Sequence, residues 1–335
     1  MKKACFYETL PEGVVKCSLC AHRCTIGVGR RGLCGVRENI DGVLTALVYG
    51  SVCSTQVDPI EKKPLFHFKP GSRTFSIATV GCNFKCLHCQ NSSISQYPKE
   101  HGGAVTGYPV TAEAIVAAAI SDRCESISYT YTEPTIFYEF ALDCAILAAE
   151  KGLKNVFVSN GFMTEESAEV IIPYLHANNI DLKGDATFYK EICGGKIEPV
   201  KDTIRLMKEG GVWVEITTLV IPGLNDTERQ LRDIAQFIVS VDDTIPWHVS
   251  RFYGTYKMTD RPGTPAETLR RAYDIGYECG LKYVYQGNIP GVGGENTSCP
   301  ACKKLLIERY GFSVISNALK NGNCPHCGTA IAGVW

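Results

Sequence analysis

Seven short apolar or β-branched runs recur along residues 72–290, at 75–80, 127–131, 155–158, 180–182, 212–220, 248–252 and 283–285, and nothing else in the chain constrains the fold as much. Helical patterns with good openings separate most of them. Thr111 stands before residues 112–120, Pro134 opens an apolar stretch that runs to Ala149, and Thr164 precedes Glu165 and Glu166. Asp226 precedes residues 228–239, and Thr264-Pro265 opens a pattern that ends near Gly280. Side-chain oxygens at such positions accept first-turn N–H groups, and proline suits a first turn because its missing N–H would have no partner there. Strands separated by helices pair in parallel, with the helices outside the sheet. The pattern predicts an α/β fold, a partial (β/α)6 TIM-like barrel, with an open doubly wound sheet as the alternative. In both, an active site belongs at the C-terminal ends of the strands.

The flanks have a different character. Residues 1–71 are irregular and rich in Gly and Cys, with short extended pieces such as 43–49. After residue 290, Gly291-Val292-Gly293-Gly294 reads as a linker leading to paired cysteines. Three parts are expected: a Cys-rich module at 1–71, the barrel at 72–290 and a four-cysteine module at 291–335.

Lys plus Arg number 34 against 35 Asp plus Glu, a formal net charge of −1. A long nucleic-acid footprint needs a basic face, so this balance argues against one. No run approaches the ~18 apolar residues of a membrane span. The opening Met1-Lys2-Lys3-Ala4-Cys5 lacks an apolar run behind it, and Glu8, Pro11 and Glu12 interrupt where a signal peptide would continue. A cytoplasmic protein is expected. In a reducing compartment, 17 cysteines that fall into clusters point to metal or catalysis rather than disulfides.

The central cluster is Thr79-Val80-Gly81-Cys82-Asn83-Phe84-Lys85-Cys86-Leu87-His88-Cys89-Gln90-Asn91, directly after the first predicted barrel strand. Three thiolates on one loop cannot close a four-coordinate zinc site by themselves. They can hold three irons of a 4Fe–4S cube and leave the fourth open to an external chelator. A zinc site completed by a distant residue, or three ordinary thiols, is the plain alternative. Near the end, Cys299-Pro300-Ala301-Cys302 and Cys324-Pro325-His326-Cys327-Gly328 form two C-x2-C knuckles, a zinc-ribbon or rubredoxin-like pattern for one Zn²⁺ or a single iron. At the start, Cys17, Cys20, Cys24 and Cys34 could hold zinc or an auxiliary iron–sulfur cluster, with His22 able to replace one thiolate. Cys193, in the segment after the fourth strand, reads either as a small buried hydrophobe or as a thiol on the catalytic face.

The C-x3-C-x2-C loop resembles that of the radical S-adenosylmethionine (SAM) superfamily. The resemblance implies a redox-active 4Fe–4S cluster on Cys82, Cys86 and Cys89, with SAM chelating the open iron. It implies reductive cleavage of SAM to methionine and a 5′-deoxyadenosyl radical that abstracts hydrogen from substrate, and a flavodoxin- or ferredoxin-like reductant. In that superfamily the residue before the third cysteine is commonly aromatic and lies near the adenine; here it is His88. Tyr131-Thr132-Glu133-Pro134 stands where many members carry Gly-Gly-Glu-Pro, which assigns Thr132 and Glu133 to the SAM amino group. Ser159-Asn160-Gly161 and Asp181-Leu182-Lys183 resemble Thr-Asn-Gly and Asp-Leu-Lys of the pyruvate formate-lyase activase group, where the lysine faces the SAM carboxylate. A further aspartate that helps hold a monovalent cation in that group is replaced here by Val158. Residues 220–226 resemble that group's segment near adenine, and Trp247-His248 its sixth-strand SAM-contacting histidine.

Taken end to end, the chain resembles the AmmeMemoRadiSam system radical SAM enzyme. The resemblance includes Cys17-Ser18-Leu19-Cys20-Ala21-His22-Arg23-Cys24, Gly32-Leu33-Cys34-Gly35-Val36-Arg37-Glu38-Asn39, Asp58-Pro59-Ile60-Glu61-Lys62-Lys63-Pro64-Leu65-Phe66-His67-Phe68 and the terminal Gly333-Val334-Trp335. It implies Memo-type and Amme-type proteins as partners, and a protein or small molecule as substrate, with glycyl-radical activation one option. Two other classes compete: a non-catalytic metal-binding interaction protein, and an RNA-modifying radical SAM enzyme that grips RNA with its C-terminal cysteine module.

Overall fold

A computed structural model describes residues 1–289, 291 and 293–335; Val292 of the expected linker lies outside the described residues. One eight-stranded sheet dominates. Its strands are β1 (Ser54–Pro59), β2 (Arg73–Ala78), β3 (Ser126–Tyr129), β4 (Lys154–Ser159), β5 (Ala177–Asp181), β6 (Trp213–Val220), β7 (Trp247–Arg251) and β8 (Val284–Gly287). They pair strictly in chain order, β1 antiparallel to β2 and every later pair parallel. A doubly wound sheet would reverse its strand order at a switch point. No reversal occurs here, so the sheet winds one way as a barrel does. It stays open, because β1 and β8 are edges. The sheet begins at Ser54, ahead of residue 72.

The crossovers carry α1 (Ala112–Ser121), α2 (Tyr138–Glu150), α3 (Glu165–Ile171), α4 (Glu198–Glu209), α5 (Glu228–Val241) and α6 (Ala266–Glu278), which makes six strand–helix units before β8. Caps set their starts. Thr111 accepts from Ala114 N, and Thr164 forms a capping box with Ser167. The cap of α5 is Thr227, boxed with Gln230, while the Asp226 carboxylate accepts from Gly223 N at 2.9 Å. Helix α4 was not expected from the sequence. Its buried face, Val200, Thr203, Ile204 and Met207, has the three-to-four spacing of an amphipathic helix. No helix among the described residues is long and apolar enough to cross a membrane.

The segment between β1 and β2 plugs the N-terminal end of the barrel. Ile60, Leu65 and Phe68 pack on Val156 and Ala177, and Asn179 Nδ2 donates to the Pro64 carbonyl at 2.8 Å. The C-terminal module, with β9 (Thr297–Ser298), β10 (Leu305–Tyr310) and β11 (Ser313–Asn317), packs beside β8 and against this plug. Phe66, Tyr283 and Tyr285 share one core with Cys299, Leu306, Ile307, Cys324 and Ile331. Arg309, fully buried, donates to the Phe66 carbonyl at 2.7 Å and to Thr297 Oγ1 at 2.8 Å, and its guanidinium lies 4.4 Å from the Phe66 ring centre. Glu61, next to the edge strand β1, is 3.7 Å away. One side chain thus ties the module to segments beside both sheet edges.

Beneath these contacts runs a buried polar chain. Glu215 on β6 accepts from Phe66 N (3.0 Å), His67 N (2.8 Å), Trp213 Nε1 (2.9 Å) and His248 Nε2 (2.7 Å). Burial alone would raise its carboxyl, but the His248 hydrogen bond and the nearby imidazoles outweigh it and hold the group below its ordinary value. His67 Nδ1 is 2.7 Å from the Ala332 carbonyl, which can only accept, so Nδ1 carries the proton and Nε2 accepts from Tyr285 OH. Burial lowers the His67 pKa to about 4. Between that value and the ordinary ~6.5 of an unfolded histidine, the unfolded chain binds a proton that the native one refuses. Stability contributed by neutral His67 is therefore present at neutral pH and lost on acidification. Acidifying from pH ~7 to ~5 should cost about 2 kcal/mol from this residue. Urea unfolding of wild type and His67→Gln at both pH values checks it: the variant should lose that part of the pH dependence.

Candidate active site

A cavity of about 400 Å³ opens at the C-terminal ends of the parallel strands. Alternation along each strand decides what faces it. Asn179 and Asp181 of β5, Thr217 and Leu219 of β6 and Ser250 of β7 line the wall. Glu215 and His248 share those faces two residues earlier, one layer below. His248 was assigned to cofactor from the sequence, yet it is not among the lining residues. Its ring nitrogen is committed to Glu215 and its ring stacks on Tyr285 at 5.2 Å.

Cys82, Cys86 and Cys89 enter from the loop after β2, and all three line the cavity. The loop turns at Gly81, whose φ of +104° and surroundings both demand glycine: a Cβ there would sit 2.7 Å from Val36 Cγ1. Backbone bonds pin it, Lys85 N to the Cys193 carbonyl at 2.9 Å and Leu87 N to the Ile192 carbonyl at 3.1 Å. Lys99 Nζ donates to the carbonyls of Cys82 (2.8 Å) and Phe84 (2.7 Å). Cys82 Sγ accepts from Phe84 N at 3.4 Å, and Cys89 Sγ lies 3.1 Å from Ser95 Oγ. Burial raises the Cys82 and Cys89 thiols, and the adjacent Cys193 thiol together with burial raises Cys86. Bare thiolates are disfavoured there, and cationic iron would compensate them. Among the described residues, the ligand atoms that lie within 4.8 Å of one another belong to the C-terminal four cysteines, not to this triplet. The three sulfurs are not all within 4.8 Å of one another, which suits sulfurs on separate irons of a cube. The donor set therefore fits a 4Fe–4S cluster with one iron left to an outside ligand.

A family model described as the radical SAM superfamily matches residues 76–238, the region that carries this loop and most of the sheet. An uncharacterized protein of Methanocaldococcus jannaschii, MJ0808, is 48% identical over 99% of both chains. This chain belongs to the radical SAM superfamily. Pyruvate formate-lyase-activating enzyme of Clostridium pasteurianum is 24% identical over 53% of this chain and 76% of its own. A putative glycyl-radical enzyme activating enzyme of M. jannaschii is 28% identical over 52% of this chain and 71% of its own. Among solved structures, Streptococcus suis SuiB bound to S-adenosylmethionine superposes with a TM-score of 0.50 at 15% identity, covering 68% of this chain and 53% of that one. Superfamily membership implies a 4Fe–4S cluster and SAM.

His88, Thr132, Glu133, Ser159, Asn160, Asp181 and Lys183, assigned from the sequence, line the same cavity. Tyr131 has a φ of +65°, the left-handed conformation that glycine adopts freely. For tyrosine it costs about 1–2 kcal/mol. Thr132 Oγ1 donates to the Thr79 carbonyl at 2.9 Å. Glu133, fully buried, accepts from Thr135 N (3.0 Å), Thr135 Oγ1 (2.6 Å), Ser159 Oγ (2.8 Å) and Asn160 N (2.7 Å). Its carboxylate braces the end of β3 against the end of β4, and burial keeps it above its ordinary pKa despite these donors. Asn160 Nδ2 donates to Asn83 Oδ1 at 2.7 Å and points at Cys82 Sγ at 3.8 Å. Lys183 Nζ pairs with Asp181 at 2.6 Å. Burial opposes its charge, but Asp181 and the Cys86 and Cys193 thiols hold its pKa well above the ordinary value. His88 is held neutral, its pKa lowered to about 3 by burial and Lys183, and its Nδ1 is buried without a partner. Cys193 is buried behind Cys86 and does not line the cavity.

A second polar cluster lies beside the cavity wall. Asp58 accepts from Lys63 Nζ (2.6 Å), Lys62 Nζ (2.9 Å), Ser76 Oγ (2.8 Å) and Tyr131 OH. Lys63 is 1% exposed, sits 4.4 Å from the Tyr131 ring centre, and is lowered to about pKa 8 by burial. The string Asp58-Pro59-Ile60-Glu61-Lys62-Lys63 was visible, but only the turn after β1 aims both lysines at the cavity. Phe312, from the β10–β11 turn, reaches the same rim.

The C-terminal four cysteines come together as expected. Cys299 and Cys327 sulfurs are 3.6 Å apart, and those of Cys302 and Cys324 are 3.7 Å apart. Tetrahedral ligation at ~2.3 Å requires about 3.8 Å, so the four can hold one metal ion. Cys17, Cys20, Cys24 and Cys34 surround a separate small space under Leu19, Ile26 and Ile136.

Proposed function

We propose that the chain binds a 4Fe–4S cluster through Cys82, Cys86 and Cys89 and SAM in the adjoining cavity, and acts as a radical SAM enzyme on a protein or small-molecule substrate. The observation that carries this reading is one cavity at the strand C-termini that holds three thiols from one loop and a lysine–aspartate pair opposite. When bound, the cluster and SAM supply a hydrogen-abstracting 5′-deoxyadenosyl radical. The chain's residues bind and orient. Lys183, kept charged by Asp181, faces a carboxylate. His88 offers a neutral nitrogen to a base edge. Thr132, Ser159 and Asn160 complete the wall that Glu133 braces. Lys63 and Tyr131, held by Asp58, face the substrate side, where Lys63 can exchange a proton near neutral pH.

Within the superfamily, the end-to-end motifs support membership of the AmmeMemoRadiSam system family. Memo-type and Amme-type proteins are then the proposed partners, and a flavodoxin- or ferredoxin-like protein the reductant. The relation to activating enzymes makes a glycyl radical on a partner one proposed product. The C-terminal cysteines are proposed to hold structural zinc, a single iron being the other ion that suits them. Anaerobic incubation with SAM and reductant, followed by chromatography, tests the core of this. Methionine and 5′-deoxyadenosine in equal amounts are expected. Reconstituted protein that shows iron–sulfur absorbance but cleaves no SAM, with or without candidate partners, would overturn it. With a partner present, a glycyl doublet in electron paramagnetic resonance would mark activation.

A further inference from the structure

We propose that Cys17, Cys20, Cys24 and Cys34 bind a second, auxiliary 4Fe–4S cluster, separated from the central triplet by a single backbone segment. Four thiols from separate pieces of chain converge here: Cys17 ends the strand Val15–Cys17, Cys24 precedes Thr25–Ile26, Cys20 forms an isolated β-bridge with Met163 and Cys34 lies in a turn. All four are free of disulfides and share one small apolar space. His22 lines the same space, and its Nε2, 2.9 Å from the Asn83 carbonyl, donates its proton there, which leaves Nδ1 as the acceptor nitrogen.

Spacing separates the possible occupants. A single tetrahedral ion needs sulfurs about 3.8 Å apart. The C-terminal cysteines of this same chain meet that requirement, at 3.6 and 3.7 Å. No three of the N-terminal four have their sulfurs all within 4.8 Å of one another, and in this they match the central triplet. Four thiolates spread in this way suit a cube, with one sulfur on each iron and none left open. Cationic Arg37 lines the space, as an anionic cluster would favour, and is itself anchored on Glu139 at 2.9 Å.

The two sites share the turn at 81–84. The Asn83 carbonyl meets His22 while its side chain meets Asn160, and a Cβ on Gly81 would lie 3.1 Å from the Cys34 carbonyl. Two clusters on either side of that turn would be close enough for their unpaired spins to interact.

Acid-labile sulfide in the anaerobically reconstituted full chain decides the matter. About eight per chain are expected in wild type. The triple variant Cys82→Ala, Cys86→Ala, Cys89→Ala should keep about four, with a paramagnetic signal that added SAM does not alter. Cys20→Ser with Cys24→Ser should also keep about four, with a signal that SAM does alter. Fully reduced wild type should show faster spin relaxation than either variant. Wild type with about four sulfides and about two zinc ions, all sulfide vanishing in the triple variant, would overturn this site while leaving the proposed function standing. Should the Cys20/Cys24 variant fail to fold, the triple variant decides alone, since it leaves the N-terminal module untouched.

Discussion

Replacing Cys86 with alanine is expected to abolish 5′-deoxyadenosine formation and to remove about four iron and four sulfide per chain. Three thiolates are the minimum for a cube with one open iron, and no fourth thiol lines the cavity to replace the lost sulfur. Neighbouring Ser95, Asn160 and Lys183 offer oxygen and nitrogen, which bind this iron poorly beside thiolate. The loop itself should survive, because Lys85 N and Leu87 N stay tied to the Cys193 and Ile192 carbonyls and Lys99 still bridges Cys82 and Phe84. Far-UV circular dichroism should therefore be unchanged while product falls to background. Cys193→Ala is the contrasting control. That thiol is buried behind Cys86 without reaching the cavity, so the variant should keep both sulfide and turnover. Loss of the cluster in Cys193→Ala, or a retained cluster in Cys86→Ala, would refute the ligand set.

The second large effect is expected at the other end of the chain. Cys302→Ser should release the C-terminal metal and unfold the module around it. The module's own apolar core is little more than Leu306, Ile307 and Ile331, too small to fold unaided. Structural zinc supplies on the order of 10 kcal/mol to such segments. The loss should not stay local. Arg309 would leave Phe66 and Glu61, and Tyr285 would lose Thr297, so the plug and β8 would be exposed together. A fall in Tm of roughly 10 °C is expected, with new protease cleavage beyond residue 293. Sulfide at the triplet should persist, because the module supplies none of its ligands. A Tm within about 2 °C of wild type would show that the module is not held by its metal.

Much of this was readable before any coordinates. Apolar runs and caps located the parallel strands and most helices, because both signals act within a turn or two of chain. Cysteine spacing had the same local character, and C-x3-C-x2-C places three thiols on one loop whatever surrounds it. Helix α4 is hard to read from sequence although its periodicity is present, because the charges of Glu198, Lys201, Asp202 and Arg205 on its outer face mask the pattern. His248 was given to the cofactor because motif position says nothing of depth. Its layer depends on the pairing of β6 with β7, which sets Glu215 beneath the cavity with it.

Alone, then, the sequence determined the strand–helix succession, three cysteine groups and the loop that opens the active site. Tertiary structure alone decided which ends meet: Asp58 with Tyr131 across the cavity wall, Arg309 with Phe66 across the open side of the barrel, and Glu215 with His67 and His248 under the floor. Hydrogen bonds and ion pairs act over a few ångströms, and residues this far apart in the chain come within that reach only once the sheet has wound around its plug.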